Sequence, residues 1–575
     1  MAPSPTRRRL LAGAGAVATG TLAGCTQRLL PGTGDGPQPV SLSIKTPPVA
    51  DDPMAAMIAS QLEENLRAAG VDAVREPMDK SELYRELLID REFDLFVFRH
   101  PGLDDADAFR SMLHSRFVGE QGWQNPFGFS DPTVDDLLEE QLSNDGDDRR
   151  EALSELLDYL VDTAPYTAVT FPDRLDAASD ALERSTPPDR PTDFVDLLAD
   201  RPSGEPFRVG TFGSSPTDRL NPLTVEASRI DHVLELLYDP LVRRSDDGTA
   251  PWLAESVSWD EPAVSGGRLA ATVELRAGAR WHDDEPLDSA DVAFTYEFLG
   301  DTSLGDADGS VPSLRFRGRE SLVDEVRVID GRTLEFAFDG PSSAVAERAL
   351  TVPILPEHVW RERSALVGDL WTEALDADNE APIGSGLFSF HDADGDRLEL
   401  EPFDEHVLRT NGDPTDDEPL PPLDGSLEFR ISPGPAAAIE ALLEGELELV
   451  SGRLTPDDLE PVESNPDVSV LSGHTRAFYA IGYNVQQSPL GNPNFRAIVS
   501  QLVDREHVVE DVFDGYARPV TTPSSLLGLT DVELEEASRS VIPTFPGSDG
   551  EIDEELVRSR FEDAGYRYED GTLMV

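Results

Sequence analysis

The chain has 575 residues, enough for two or three compact bodies with sizeable cores. It carries 47 basic against 112 acidic side chains, a net charge of −65, and its only lysines are Lys45 and Lys80. Such a surface repels nucleic acid and anionic lipid, which excludes a polyanion partner. The single cysteine, Cys25, excludes a disulfide framework and a thiolate metal site within the chain. Patterned apolar segments argue against a disordered acidic chain. The charge therefore reads as adaptation to concentrated salt, where the screening length shrinks to about 3 Å near 1 M. Nine histidines are scattered without HExxH spacing. There is no Gly-Lys-Ser/Thr phosphate loop and no G-x-S-x-G elbow. No enzymatic chemistry, cofactor or metal is expected.

Residues 6–25, TRRRLLAGAGAVATGTLAGC, place Arg7, Arg8 and Arg9 before a run of small apolar residues. The run is shorter than the ~20 apolar residues that span a bilayer. It reads as an export signal of the twin-arginine kind. The phrase LAGC, ending at Cys25, resembles a lipobox, in which the cysteine becomes the lipidated first mature residue. Residues 26–39 are rich in Gly, Pro and Thr and read as a tether.

From residue 40 strands and helices alternate. A strand at 40–44 precedes a helix at 53–69 with Met54, Met57, Ile58, Leu62 and Leu66 on one face, stopped by Gly70. A strand at 71–75, a helix at 81–89 and a buried strand at 93–98 follow. Then come helices at 133–142 and 149–161 and a last strand at 166–171, a βαβ-type layered body. Residues 187–205 turn to Pro, Asp, Arg and Gly and read as a connector. A second series opens with a strand at Phe207, Val209 and Thr211 and a loop around Asn221. A helix follows, with Ile230, Val233, Leu234, Leu237 and Tyr238 at 3/4 spacing, and then alternating strands.

The ordered phrases LNPL (220–223), YDPLV (238–242), PWLAESV (251–257) and LRAGARWHDDEPLDSADVAFTYEF (275–298) resemble the opening of family 5 solute-binding proteins. These are the peptide and nickel receptors of ABC importers. APIGSGLFSF, EGELELV and YAIGYN continue that resemblance into the family's middle portion. Residues 40–171, including NPFGFSDPTVD at 125–135, resemble the family's C-terminal third. The phrase AGYRYEDG near the chain's end is one that the family follows at once with the strand and long helix found here at 40–69. The resemblance implies a circular permutation, the family's last third standing first. Domain termini lie at the surface and often close together, which permits such a rearrangement.

The implied fold is α/β, a two-lobed periplasmic-binding-protein-like architecture of type II with an extra subdomain, circularly permuted. Its expected parts are a signal (1–25), a tether (26–39) and part of lobe II (40–165). A return to lobe I with a connector (166–205) follows. Lobe I with the extra subdomain (206–450) and the remainder of lobe II (451–575) complete the chain. The implied function is that of a receptor at the outer face of the cell membrane, held by lipidated Cys25. It would deliver a peptide-like solute to the permease and ATPase subunits of an ABC importer, as a monomer. The alternatives are a degenerate receptor acting as sensor or adhesin, and an extracellular hydrolase, for which the abundance of carboxylates is the only support.

The family's dipeptide binders carry an Arg-Pro-Tyr-Asn-Pro turn before the long helix and Trp-Thr-Gly-Asp after the buried strand. The corresponding residues here are Val49 to Pro53 and Arg99, His100, Pro101 and Gly102, so both dipeptide anchors are missing. Asp51 or Asp52 could pair a cationic ligand group, while Lys80, Arg99 and His100 could hold an anionic one. Asp51-Asp52-Pro53 also fits a plain helix cap. Ser228 and Arg229 fall where the family's first loop-helix faces the cleft. Trp281 and Tyr483 read as core.

Overall fold

The computed structural model describes residues 37–575, apart from 104, 202–203, 214–218, 225–230, 246–247, 261–267, 339, 369, 412–419, 453 and 528–539. Cys25, the signal, Ser228 and Arg229 lie outside the described residues. Residues 39–575 form one compact unit.

The first half opens with β1 (Ser41–Thr46), α1 (Pro53–Ala68) and β2 (Asp72–Pro77), with β3 (Leu95–His100) following. Asp52 starts α1 by accepting from the Ala55 N–H at 3.0 Å, and Pro53 occupies the first turn, where its missing N–H costs nothing. Gly70 ends the helix region at φ +86°, and a Cβ there would come within 2.5 Å of the Gly571 carbonyl oxygen. β1 pairs in parallel with β2 and β3. Side chains on β3 alternate between two cores: Leu95 and Val97 face α1, whereas Phe96 and Phe98 face the helices Pro132–Ser143 and Gly146–Thr163.

The strand that joins the halves is β4 (Tyr166–Ser179), fourteen residues long and not the six expected. The polar stretch after Phe171 conceals its length, because Asp173, Arg174 and Asp176 break the apolar pattern of a strand. Its first part pairs with Phe478–Tyr483 and Ala517–Pro519. Its second part pairs with Val468–His474 and Leu449–Val450. Beyond lie β5 (Phe207–Phe212), Leu427–Ser432 and a hairpin of Phe388–Ala393 with Arg397–Pro402, completing a sheet of twelve described strands. A four-stranded antiparallel sheet, Ala254–Asp260 to Thr333–Phe338 with Leu269–Leu275 between them and Val323–Val328 at the edge, shares the largest core with Trp281 and Trp360.

The stretch read as a connector also contains a helix, Pro191–Ala199. Phe194, Val195 and Leu198 are buried in the largest core, an apolar face short enough to be hidden among Pro and Asp. Residues 81–89 divide into an α-helix, Lys80–Arg85, and a π-turn, Glu86–Asp90.

The chain's last hairpin, Arg567–Glu569 with Thr572–Met574, closes against its first strand. The Val40 N–H donates to the Leu573 carbonyl at 2.9 Å, and the Leu573 N–H donates to the Gly70 carbonyl at 2.8 Å. Leu42 and Leu573 are fully buried in one core.

Candidate functional site

Strand directions converge on the middle of β4. Phe478–Tyr483 is antiparallel to both β3 and β4, so β1 and β3 run with β4. Leu449–Val450 is antiparallel to β4 and parallel to β5, so β5 and its parallel neighbour Leu427–Ser432 run against β4. The carboxyl ends of both strand sets thus point toward the middle of β4 from opposite sides. In open α/β sheets the crevice outside such ends is where ligands bind.

The side chains at this place are set by strand register. Arg99 on β3 stands directly opposite Tyr479, so both project from the face that α1 covers. The Tyr479 hydroxyl donates to Asp52 Oδ1 at 2.9 Å, tying the sheet to the start of α1. Arg99 is half-buried. Asp51, half-buried and next to Asp52 in sequence, donates its N–H to the Pro48 carbonyl at 2.9 Å.

Lys80 and His100 occupy the opposite face. The Lys80 ammonium lies 5.4 Å from the Tyr84 ring centre, and Tyr84 meets Trp123 edge-on at 6.1 Å. Trp123 in turn meets His100, which stacks on Phe478 at 4.8 Å. His100 Nδ1 accepts from the Gly102 N–H at 3.0 Å. The imidazole is buried with Nδ1 engaged by Gly102, an arrangement that orders the loop after β3. Of the six expected ligand-binding residues, Arg99 stands on the α1 face of β3 and Asp51 just precedes the cap of α1, whereas Lys80 and His100 are linked through Tyr84 and Trp123 on the other face. Ser228 and Arg229 lie outside the described residues.

Sequence reasoning passed over three further groups here. Tyr479 needed the register of two strands 380 positions apart to be placed beside Arg99. Arg476 lies just before Phe478–Tyr483, and its backbone packs so closely on Gly102 that a Cβ at Gly102 would come within 2.7 Å of it. Asp176 on β4 is fully buried, with Oδ2 accepting from Arg174 at 2.8 Å and Oδ1 unpartnered. Burial pushes its carboxyl up, against the pull of Arg174. Only the apolar phrase YAIGYN, which marks a buried strand, could have pointed to Tyr479.

A second cluster ties the helix layer over β3 to residues 313–348. Asp107 Oδ1 accepts from Arg110 Nε and Gln141 Nε2, each at 3.0 Å, and its Oδ2 accepts from Arg348 Nη1 at 2.6 Å. Arg110 also donates to the Gly318 carbonyl at 3.0 Å and to Ser321 Oγ at 3.1 Å. Arg317 pairs with Glu120 at 3.0 Å, and Gln124 donates to the Ser313 carbonyl at 3.0 Å. A cavity of about 500 Å³ lies elsewhere, beside the last hairpin, between Gln486, Asn492, Tyr566 and Arg567. Among the described residues no group of three or more His, Cys, Asp or Glu side chains could hold a metal ion. Within the same residues no helix is long and apolar enough to cross a membrane.

The family described as bacterial extracellular solute-binding proteins, family 5 Middle, matches residues 248–571, more than half of the chain. The chain belongs to that family, whose members are extracytoplasmic binding proteins and not enzymes, and it has their α/β, two-lobed type II fold. The oligopeptide-binding protein AppA of Bacillus subtilis is 25% identical over 280 residues, 48% of this chain and 46% of that protein. The dipeptide-binding protein of Escherichia coli is 23% identical over 292 residues, 48% of this chain and 50% of that protein. The chain thus spans about half the length of these curated relatives. A solved structure of the Bacillus subtilis AppA in complex with a nonapeptide is similar with a TM-score of 0.43 and 19% identity, over 64% of this chain and 66% of that chain.

Proposed function

We propose that this protein is a solute receptor of an ABC importer, held at the outer face of the cell membrane by lipidated Cys25, and that its solute is peptide-like. The family match over residues 248–571 carries the reading. It is supported by relatives named for oligopeptide and dipeptide binding and by the converging strand ends. The solute sits in the crevice beside β4, and binding favours the arrangement in which both strand sets enclose it. Asp51 and Arg99 are the candidate contacts on the α1 face, with Lys80 and His100 lining the other. Ser228 and Arg229 complete the candidate set. The acidic surface keeps the chain folded and monomeric in concentrated salt.

The chain order is that of a circularly permuted receptor, residues 40–165 supplying the part of lobe II that the family places last. The bonds of Val40 and Gly70 to Leu573 support this order, because a turn of a few residues between the last strand and β1 would restore the family's sequence. The missing dipeptide anchors favour one second reading, a receptor retained as a sensor without transport. Purification from the native host tests both. A peptide carried through, together with permease and ATPase subunits and a lipid on Cys25, is the expected result. A bound solute without importer subunits selects the sensor, and a solute of unrelated chemistry overturns the peptide reading.

A further inference from the structure

Away from β4 the chain divides into two bodies. The buried residues of two cores come from residues 40–171 and 478–573, and those of the other two from residues 175–471, with Leu142 added. Among the described residues the chain passes between the bodies twice, in β4 and in the return from His474 to Phe478. These crossings lie side by side: His474 pairs with Asp173, and Thr475 Oγ1 donates to the Pro172 carbonyl at 2.8 Å. Two adjacent strands linking separately cored bodies have the form of a hinge. The bodies also meet along a seam between residues 107–142 and 313–348. Arg110 and Gln124 donate across it to the carbonyls of Gly318 and Ser313, Arg348 donates to Asp107, and Arg317 pairs with Glu120. The backbones fit closely there. A Cβ at Gly318 would lie 2.7 Å from Ser111, and one at Gly122 would lie 2.6 Å from the Leu314 carbonyl oxygen.

We infer that this seam is a reversible clasp: it parts when the bodies swing about β4, and its strength contributes to the affinity for a solute enclosed between them. The inference rests on the two-body fold and not on which solute binds. Three features separate a clasp from a permanent core. The bonds named above are polar, as in interfaces between domains that move, so parting them exchanges protein partners for water. Each jaw also keeps partners of its own. Asp107 remains bound by Arg110 and Gln141, each at 3.0 Å, and Arg317 remains paired with Glu320 at 2.6 Å. Opening therefore does not strand the Asp107 carboxylate, which would cost several kcal/mol. The seam, finally, borders the crevice. Trp123, next to Gln124, meets His100 and Tyr84 at the carboxyl end of β3. A solute enclosed there binds the closed arrangement, so its apparent affinity rises with the closed fraction.

Amide hydrogen exchange of the full chain in molar KCl, read by mass spectrometry, tests the clasp. Two amides donate across the seam from opposite jaws: Ser342 to the Leu142 carbonyl at 2.9 Å and Trp123 to the Leu314 carbonyl at 3.5 Å. Peptides covering them report opening, whereas peptides from Phe478–Tyr483 report unfolding of the sheet beside β4. In wild-type protein both seam amides are expected to exchange well before Phe478–Tyr483. Arg348→Gln, which breaks the bond to Asp107, is expected to speed both about tenfold or more, the worth of one hydrogen bond to a charged group. Phe478–Tyr483 is expected to stay unchanged. Arg317→Gln, which breaks the pair with Glu120, is expected to speed the same two amides by a smaller factor. An effect of Arg348→Gln that reaches Trp123 cannot come from loosening around residue 348 alone. Seam amides that exchange no faster than Phe478–Tyr483 in wild type overturn the clasp. So do an acceleration spread evenly over all three peptides, one confined to Ser342, and none at all. Each of these leaves the receptor reading standing.

Discussion

Two sets of arginines in this molecule behave in opposite ways. Arg110 and Arg348 converge on Asp107, the carboxylate fully buried and Arg110 only 1% exposed. Arg99, half-buried at the end of β3, makes no hydrogen bond or ion pair among the described residues. The first set spends its charge on holding the helix layer over β3 against residues 313–348. The second leaves its charge available. A cation whose hydrogen bonds are used inside the fold belongs to the structure.

The contrast can be broken or sharpened by experiment. The largest effect expected is that of salt. Dilution from molar KCl to millimolar ionic strength lengthens the range of repulsion among 112 carboxylates, so near-ultraviolet circular dichroism is expected to collapse. Unchanged spectra would remove the halophilic reading. Next comes Asp107→Asn, which removes the buried charge on which Arg110 and Arg348 converge and is expected to cost about 3 kcal/mol in denaturant unfolding in molar KCl. Arg99→Gln, by contrast, should stay within about 0.5 kcal/mol of wild type. Equal losses for the two would erase the distinction between them.

Leu573→Ala asks whether the last hairpin truly shares the core of β1. A loss of about 2–5 kcal/mol is expected for a fully buried leucine. His282 supplies a third kind of cationic group, one kept neutral. Burial lowers its pKa from the usual 6.5 to about 4, although its contact with the Gly386 carbonyl pulls upward. The unfolded chain therefore takes the proton first. The stability contribution present above pH 6.5 is lost as the pH falls toward 4, by no more than about 3 kcal/mol. The difference in unfolding free energy between wild type and His282→Gln, followed over that range, should shrink by this amount.

Much of the fold was legible before the structure. The 3/4 spacing of Met54, Ile58, Leu62 and Leu66 gave α1 its buried face and Gly70 marked its end, but Met57, read on the same face, is 45% exposed. The ordered phrases located the family block that residues 248–571 match. The length of β4 was not legible, since its second half is held by strands on either side and not by apolar alternation. The Pro191–Ala199 helix was masked by composition. Arg99 and Asp51 were chosen as candidates by residue type and motif position. Their partition from Lys80 and His100 depended on strand register, and the network around Asp107 joins groups up to 241 positions apart. No periodicity within one segment encodes such pairings.

Equilibrium dialysis of the full chain against free-acid peptides in molar KCl, followed by mass analysis of both compartments, tests the central claim most directly. A solute receptor retains peptide at a stoichiometry near one and returns it intact. Peptide that is not retained, or that returns shortened, contradicts the account.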